Sequence, residues 1–179
     1  MLFRSALFTS YRDLDAVYER IAERLFNKKR PFFAQGKGGS RSSILEEFKT
    51  KNNGVLLGTS SFWEGVDVQG DSLSFLILYK IPLQVPSEPI VEAYFDKLER
   101  DNKDSFMHYM LPNALLRLRQ GFGRLIRSKR DRGIVLIMDS RVSNKGYGHY
   151  FKEILPGKHV ELRDEIQLLA EVSTFFGKL

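Results

Sequence analysis

Two kinds of hydrophobic pattern alternate along the chain. Residues 2–8, 54–57, 73–79 and 133–138 are short, nearly unbroken apolar runs. Such runs fit strands buried on both faces, as in a parallel sheet, rather than strands with one wet side. Residues 31–34 predict one more short strand. Between the runs, apolar positions recur every three or four residues. Leu14, Val17, Tyr18, Ile21 and Leu25 lie on one side of a helix of about four turns, and Ser10, three residues before Asp13, predicts its capped start. Residues 40–49 predict a second helix with Ile44, Leu45 and Phe48 on one side. Three prolines make residues 81–89 a loop or extended segment, and helical pieces follow over 90–100. Pro112 suits the first turn of a helix that continues through residues 117–132. A short helix over 147–155 ends at Pro156, and Ile166, Leu169, Val172 and Phe176 carry helical spacing in the tail from Asp164. The expected fold is α/β, a three-layer domain with a mostly parallel sheet covered by helices on both faces, over residues 1–160, with a helical tail over 161–179. In such sheets ligands bind beyond the carboxyl ends of the strands, which directs attention to the loops after Phe8, Gly58, Tyr79 and Asp139.

Composition narrows the function classes. The 179 residues are 42% hydrophobic and 28% charged, as in an ordinary globular domain. With no cysteine, a disulfide scaffold, a thiolate metal site and a cysteine nucleophile are excluded within this chain. That usage fits a cytoplasmic protein. No apolar run approaches the ~20 residues of a membrane helix, so no membrane partner is expected. The N-terminal residues are too short and too soon interrupted for a signal peptide, and resemble a strand entered abruptly in a chain cut from something longer. The net charge of +6 has a location. Between Arg117 and Arg132 there are seven basic residues and one acid, leaving 21 basic and 21 acidic residues elsewhere. All of the excess positive charge sits in one stretch, which predicts an anionic partner, phosphate or nucleic acid. The three histidines are isolated and no cluster has metal-ligand spacing, so no metal site is expected.

Two segments carry candidate chemistry. Residues 58–70 follow the run 54–57 and hold Thr59, Ser60, Ser61, Glu64, Gly65, Asp67 and the only tryptophan, Trp63. Small hydroxyls and backbone N–H groups hold phosphate oxygens, while acids suit ribose hydroxyls or a cationic partner. A polar surface turn with Trp63 plugging the core explains the same composition. The second segment is Gln120-Gly-Phe-Gly123-Arg124-Leu-Ile-Arg127. On a helix Arg124 and Arg127 share a face and form a permanently charged clamp for a polyphosphate. Gly121 and Gly123 each cost about 1 kcal/mol inside a helix, which predicts close packing against backbone or nucleotide. A merely solvated basic helix has no need of them. A dinucleotide fingerprint is excluded, because the third glycine falls at Ile126 and no strand precedes the segment.

Together these segments resemble superfamily 2 helicases. Glu64-Gly65-x-Asp67 is similar to helicase motif V, Gln120-x-x-Gly123-Arg124-x-x-Arg127 to motif VI, and Phe8-Thr-Ser10-Tyr11 to motif IV of the DinG and XPD branch. The order and spacing match the second RecA-like motor domain. The Gly-Phe-Gly-Arg-Leu-Ile-Arg-Ser run and Ile81-Pro-Leu-x-x-Pro-Ser-x-Pro89 are closer to bacterial DinG. The resemblance covers residues 7–155. It implies that Arg127, with Arg124, reaches an ATP bound between two motor domains as an arginine finger, and that Gln120 fixes the nucleotide or couples it to the domain interface. It implies that Glu64, Gly65, Asp67 and Gly123 lie at the nucleotide. Ser10, Tyr11, Thr59 and Ser60 then lie on the side of single-stranded DNA. ATP with Mg2+ is expected to be held mainly by the N-terminal motor domain of the same parent chain. An iron–sulfur cluster, found in many members, would belong to the parent and not to these residues.

The sequence contains no Gly-x-x-x-x-Gly-Lys-Ser/Thr and no Asp-Glu-x-His, and Gly36-Lys37-Gly38 lacks the spacing of a phosphate loop. The expectation is therefore half of an ATP-dependent DNA helicase, inactive as an ATP hydrolase alone. A free-standing nucleic-acid-binding module without ATPase activity is the alternative. A complete small nucleotide enzyme would need the missing phosphate loop.

Overall fold

A computed structural model describes residues 3–51, 53–59, 73–83, 88–126 and 132–177. Their strands are β1 (Phe3–Phe8), β2 (Phe32–Ala34), β3 (Val55–Thr59), β4 (Leu73–Leu78) and β5 (Ile134–Ile137). They form one sheet in the order β2-β3-β1-β4-β5, and every pairing is parallel. The helices are α1 (Tyr11–Asn27), α2 (Arg41–Thr50), α3 (Pro89–Arg100), α4 (Leu111–Leu125), α5 (Arg141–Asn144), α6 (Gly148–Ile154) and α7 (Glu165–Phe176). The chain divides into two compact units, Met1–Asp139, which holds the whole sheet, and Ser140–Leu179, which holds α5 to α7.

Two neighbouring phenylalanines on β2 account for the layering. Successive strand side chains point to opposite faces. Phe32 stacks on Tyr18 of α1 with ring centroids 5.1 Å apart, while Phe33 meets Phe48 of α2 edge-on at 5.9 Å. One helix thus covers each face, giving the three layers expected. On the α1 face Ala6, Phe8, Leu14, Ala34 and Leu57 form a buried cluster, flanked by Val17, Tyr18 and Ile21. Leu14, Val17, Tyr18 and Ile21 are the helical stripe visible in the sequence. Burying such side chains contributes about 1.5–3 kcal/mol each. The strand order requires a reversal: the chain steps outward from β1 to β2, then returns through β3 to β4 and β5 on the other side of β1. Right-handed crossovers in opposite directions put helices on opposite faces.

Three boundaries differ from the sequence expectation. The third strand runs on to Thr59, two residues beyond the apolar run. Helicity starts before Pro112, with a π turn over Phe106–Met110 in which the Leu111 N–H donates to the Phe106 carbonyl. Pro112 has no N–H to offer the His108 carbonyl, so the regular ladder is interrupted there. At the other end α4 stops at Leu125, and Ile126 is extended, with φ −119° and ψ 100°. The helix expected to run through residue 132 is therefore interrupted at Ile126, and Arg127 lies outside the described residues.

Candidate nucleic-acid and nucleotide interface

The carboxyl ends of β1, β2 and β3 meet in a small polar cluster. After β1 the chain turns into α1 at Ser10, whose hydroxyl accepts the Asp13 N–H at 3.2 Å. This N-cap satisfies one of the orphan donors of the first turn. Tyr11, the next residue, is half exposed. After β2 the chain makes a tight turn, with the Lys37 N–H donating to the Ala34 carbonyl at 3.0 Å and Gly36 at φ +81°, a conformation that favours glycine. Gln35 within this turn reaches both neighbours. Its Oε1 accepts the Thr59 backbone N–H at 2.8 Å and the Thr59 hydroxyl at 2.9 Å. Its Nε2 donates to the Tyr11 hydroxyl. The turn is also tied to α1 by Lys37, 3.0 Å from Asp15, and that carboxylate raises the lysine pKa above its ordinary value.

The ends of β4 and β5 are linked in the same way. Lys80, directly after β4, pairs with Asp13 at 2.8 Å. Its ammonium is the main cause holding the Asp13 carboxyl below the ordinary aspartate range. Asp139, just beyond β5, accepts the Ile81 N–H at 3.0 Å and so fixes the start of the proline segment. The sequence singled out Asp139 for its position, and the structure gives it this anchoring contact.

The expected site residues divide into three groups. Ser10, Tyr11 and Thr59 are brought together at one edge of the sheet. Ser10 and Tyr11 are accessible, but Thr59 is buried, 7% exposed, and its hydroxyl proton is directed to Gln35. Gln120 and Gly123 lie exposed on α4, and Arg124 is in its last turn. No described atom lies within 4 Å of where a Gly123 side chain would begin, so the close packing expected there is not made among the described residues, whereas Gly121 is buried. Ser60, Glu64, Gly65, Asp67 and Arg127 lie outside the described residues. Gln35, Asp13 and Lys80 carry the geometry; the sequence marked Asp13 only as part of the capped helix start, and no motif marks Gln35 or Lys80. The rule that points to the loops after β1, β3, β4 and β5 applies equally to the loop after β2, where Gln35 sits.

Among the described residues no helix is long and apolar enough to cross a membrane. The profile of the helicase C-terminal domain matches residues 5–158. The chain is 37% identical over 168 residues to the 3'-5' exonuclease DinG of Bacillus subtilis (strain 168), covering 93% of this chain and 18% of that protein. It is 41% identical over 126 residues to the ATP-dependent DNA helicase YoaA of Escherichia coli (strain K12), covering 70% of this chain and 20% of that one. It is 37% identical over 150 residues to the ATP-dependent helicase DinG of Mycobacterium tuberculosis (strain ATCC 25177 / H37Ra), covering 84% and 22%. The chain thus spans about a fifth of the length of these relatives, 18–22%. A solved XPD helicase has the same fold, with a TM-score of 0.63 and 20% identity over 88% of this chain and 28% of that one. With most of its length matched by one family, and with relatives of the DinG and YoaA type, the chain belongs to the helicase C-terminal domains of the DinG/XPD-like superfamily 2 branch.

Proposed function

We propose that the chain is the second motor domain of a DinG-type helicase and works as half of an ATP-driven DNA motor. The observation that carries this reading is the match over residues 5–158 to the helicase C-terminal domain, within which Gln120-x-x-Gly123-Arg124-x-x-Arg127 keeps motor spacing. In this reading residues 1–160 are the motor domain and 161–179 a tail, and the end of the matched region near 158 supports that division. Arg127, with Arg124, is the arginine finger. A guanidinium there stabilises the charge that develops on the transferring phosphoryl group. Gln120 contacts the nucleotide or the domain interface, and Glu64, Gly65, Asp67 and Gly123 line the nucleotide side.

ATP with Mg2+ is the energy source, held mainly by the N-terminal motor domain of the parent, whose phosphate loop this chain lacks. Any iron–sulfur cluster of the parent lies outside this cysteine-free chain. Single-stranded DNA is the track. Ser10 and Tyr11, accessible at the carboxyl edge of β1, donate to its phosphates, Thr59 lies behind them, and Ser60 is assigned to the same side by the motif alone. The parent is cytoplasmic. The test is reconstitution: the purified chain alone hydrolyses no ATP, and ATPase activity returns in the parent chain and responds to single-stranded DNA. Turnover by the isolated chain, or tight DNA binding that ignores nucleotide and the first motor domain, would instead support a free-standing binding module or complete enzyme.

A further inference from the structure

We infer that Gln35 is a positioning residue for DNA binding: it ties the start of α1, at Tyr11, to the end of β3, at Thr59, and turns the Tyr11 hydroxyl into a donor facing outward. The inference rests on the reading that Tyr11 lies on the nucleic-acid side. The hydrogen bonds themselves set the polarity. The Thr59 backbone N–H can only donate, so the Gln35 atom 2.8 Å from it must be the amide oxygen, whichever way the amide is drawn. The same oxygen takes the Thr59 hydroxyl at 2.9 Å. The Gln35 amide nitrogen, which has only protons to offer, then faces Tyr11, and the Tyr11 oxygen accepts from it. The phenolic proton is consequently directed away from Gln35. Tyr11 is half exposed, so that proton is available to an anionic oxygen, and a DNA phosphate accepts it in a charge-assisted bond.

Gln35 is itself held firmly enough to do this. Its backbone N–H donates to the Leu57 carbonyl at 2.9 Å, prolonging the β2–β3 ladder by one bond. The turn behind it is closed by the Lys37 to Ala34 bond and tied to α1 through Asp15. Thr59 is the last described residue before the segment that begins at Ser60.

The experiment measures DNA-stimulated ATPase and single-strand affinity in the full-length parent helicase, using Tyr11→Phe, Gln35→Leu, Gln35→Glu and the double variant Tyr11→Phe/Gln35→Leu. Tyr11→Phe should raise the DNA concentration for half-maximal stimulation by about 10-fold, the loss of roughly one charge-assisted bond, and Gln35→Leu, which leaves the phenolic proton but no longer orients it, should raise it by a smaller but measurable factor. The turnover rate at saturating DNA should fall much less. The double variant should be no worse than Tyr11→Phe, because Gln35 acts on DNA only through the orientation of the Tyr11 hydroxyl, which Tyr11→Phe already removes. Gln35→Glu still accepts both Thr59 donors, so the fold at β3 is kept. It has no proton for Tyr11, whose hydroxyl then turns inward to donate to the carboxylate, and it should be more defective than Gln35→Leu. If Tyr11→Phe weakens DNA response while Gln35→Leu does not, or if the two effects multiply, the positioning role is overturned and the DNA-side reading of Tyr11 stands. If Gln35→Glu behaves as wild type, Gln35 merely holds Thr59 and the inference fails. If Tyr11→Phe itself has no effect on DNA response, the nucleic-acid reading of this edge falls and the inference with it.

Discussion

The Lys80 ammonium lies 2.8 Å from a carboxylate oxygen of Asp13, joining the end of β4 to the first turn of α1. This pair joins a strand end to a helix start across 67 positions of sequence. The bond from Lys80 is the largest cause of the lowered Asp13 pKa, and Ser10 and Arg12 act in the same direction. For a carboxyl whose folded pKa is depressed, the stabilisation is fully present above the unfolded value and is lost as pH falls through the folded value. Carboxyl carbon shifts of Asp13, followed by NMR, should therefore titrate below the ordinary aspartate range. Lys80→Ala should move that midpoint upward, and its destabilising effect should vanish in acid. An Asp13 midpoint unmoved by Lys80→Ala would remove the pair as the cause.

Ser5 offers a gain in stability. It lies in the middle of the central strand β1, 3% exposed, and its hydroxyl has no hydrogen-bond partner among the described residues. An unsatisfied buried hydroxyl costs about 1–3 kcal/mol in desolvation. Ser5→Ala removes that cost and nearly preserves the volume. Thermal unfolding should shift upward by a few degrees, equivalent to about 1 kcal/mol. A clear loss of stability would reveal a partner for this hydroxyl.

Gly148 opens α6 and has no room for a side chain. A Cβ built there would lie 1.9 Å from the Val142 carbonyl oxygen, a backbone atom that cannot swing aside. Gly148→Ala should destabilise the unit Ser140–Leu179 by about 3 kcal/mol, the upper end of overpacking effects. Gly146, where an added methyl would meet no described atom within 4 Å, is the control, and Gly146→Ala should cost much less. Equal effects at both positions in urea unfolding would contradict the steric explanation.

Arg127 is expected to act on the transition state more than on ground-state nucleotide binding. In the parent helicase Arg127→Ala should lower kcat by at least ~10³-fold with a much smaller change in ATP affinity. Arg127→Lys should rescue poorly, because an ammonium lacks the planar fork. DNA affinity without nucleotide should persist. Loss of DNA binding with kcat intact would make Arg127 a backbone clamp instead.

The isolated chain should bind single strands weakly and with little sequence preference. One motor domain makes few phosphate contacts, so affinity should drop steeply between low and physiological salt. Fluorescence anisotropy at several salt concentrations measures this. Tight, salt-insensitive binding would contradict a phosphate-based grip.

Much of this architecture was determined by sequence alone. Unbroken apolar runs require strands covered on both faces, and the Leu14, Val17, Tyr18 and Ile21 stripe requires a helix laid on the sheet; β1, β4 and α1 follow from such local constraints. Ser10 was legible as a cap because capping needs only residues three apart, and the family was legible because motifs V and VI are contiguous strings. What tertiary structure decided is what depends on contacts distant in sequence. The order β2-β3-β1-β4-β5 is not a local property. Thr59, polar and ending an apolar run, looked like a loop residue. It closes β3 because Gln35, 24 positions earlier, satisfies its donors. The end of α4 at Leu125 was equally hidden, since the arginines around Ile126 are good helix formers and nothing in their spacing announces a stop. Local periodicity specifies which elements form and which side they bury, whereas the partners that finish a strand, end a helix or orient a hydroxyl are supplied only when distant segments meet.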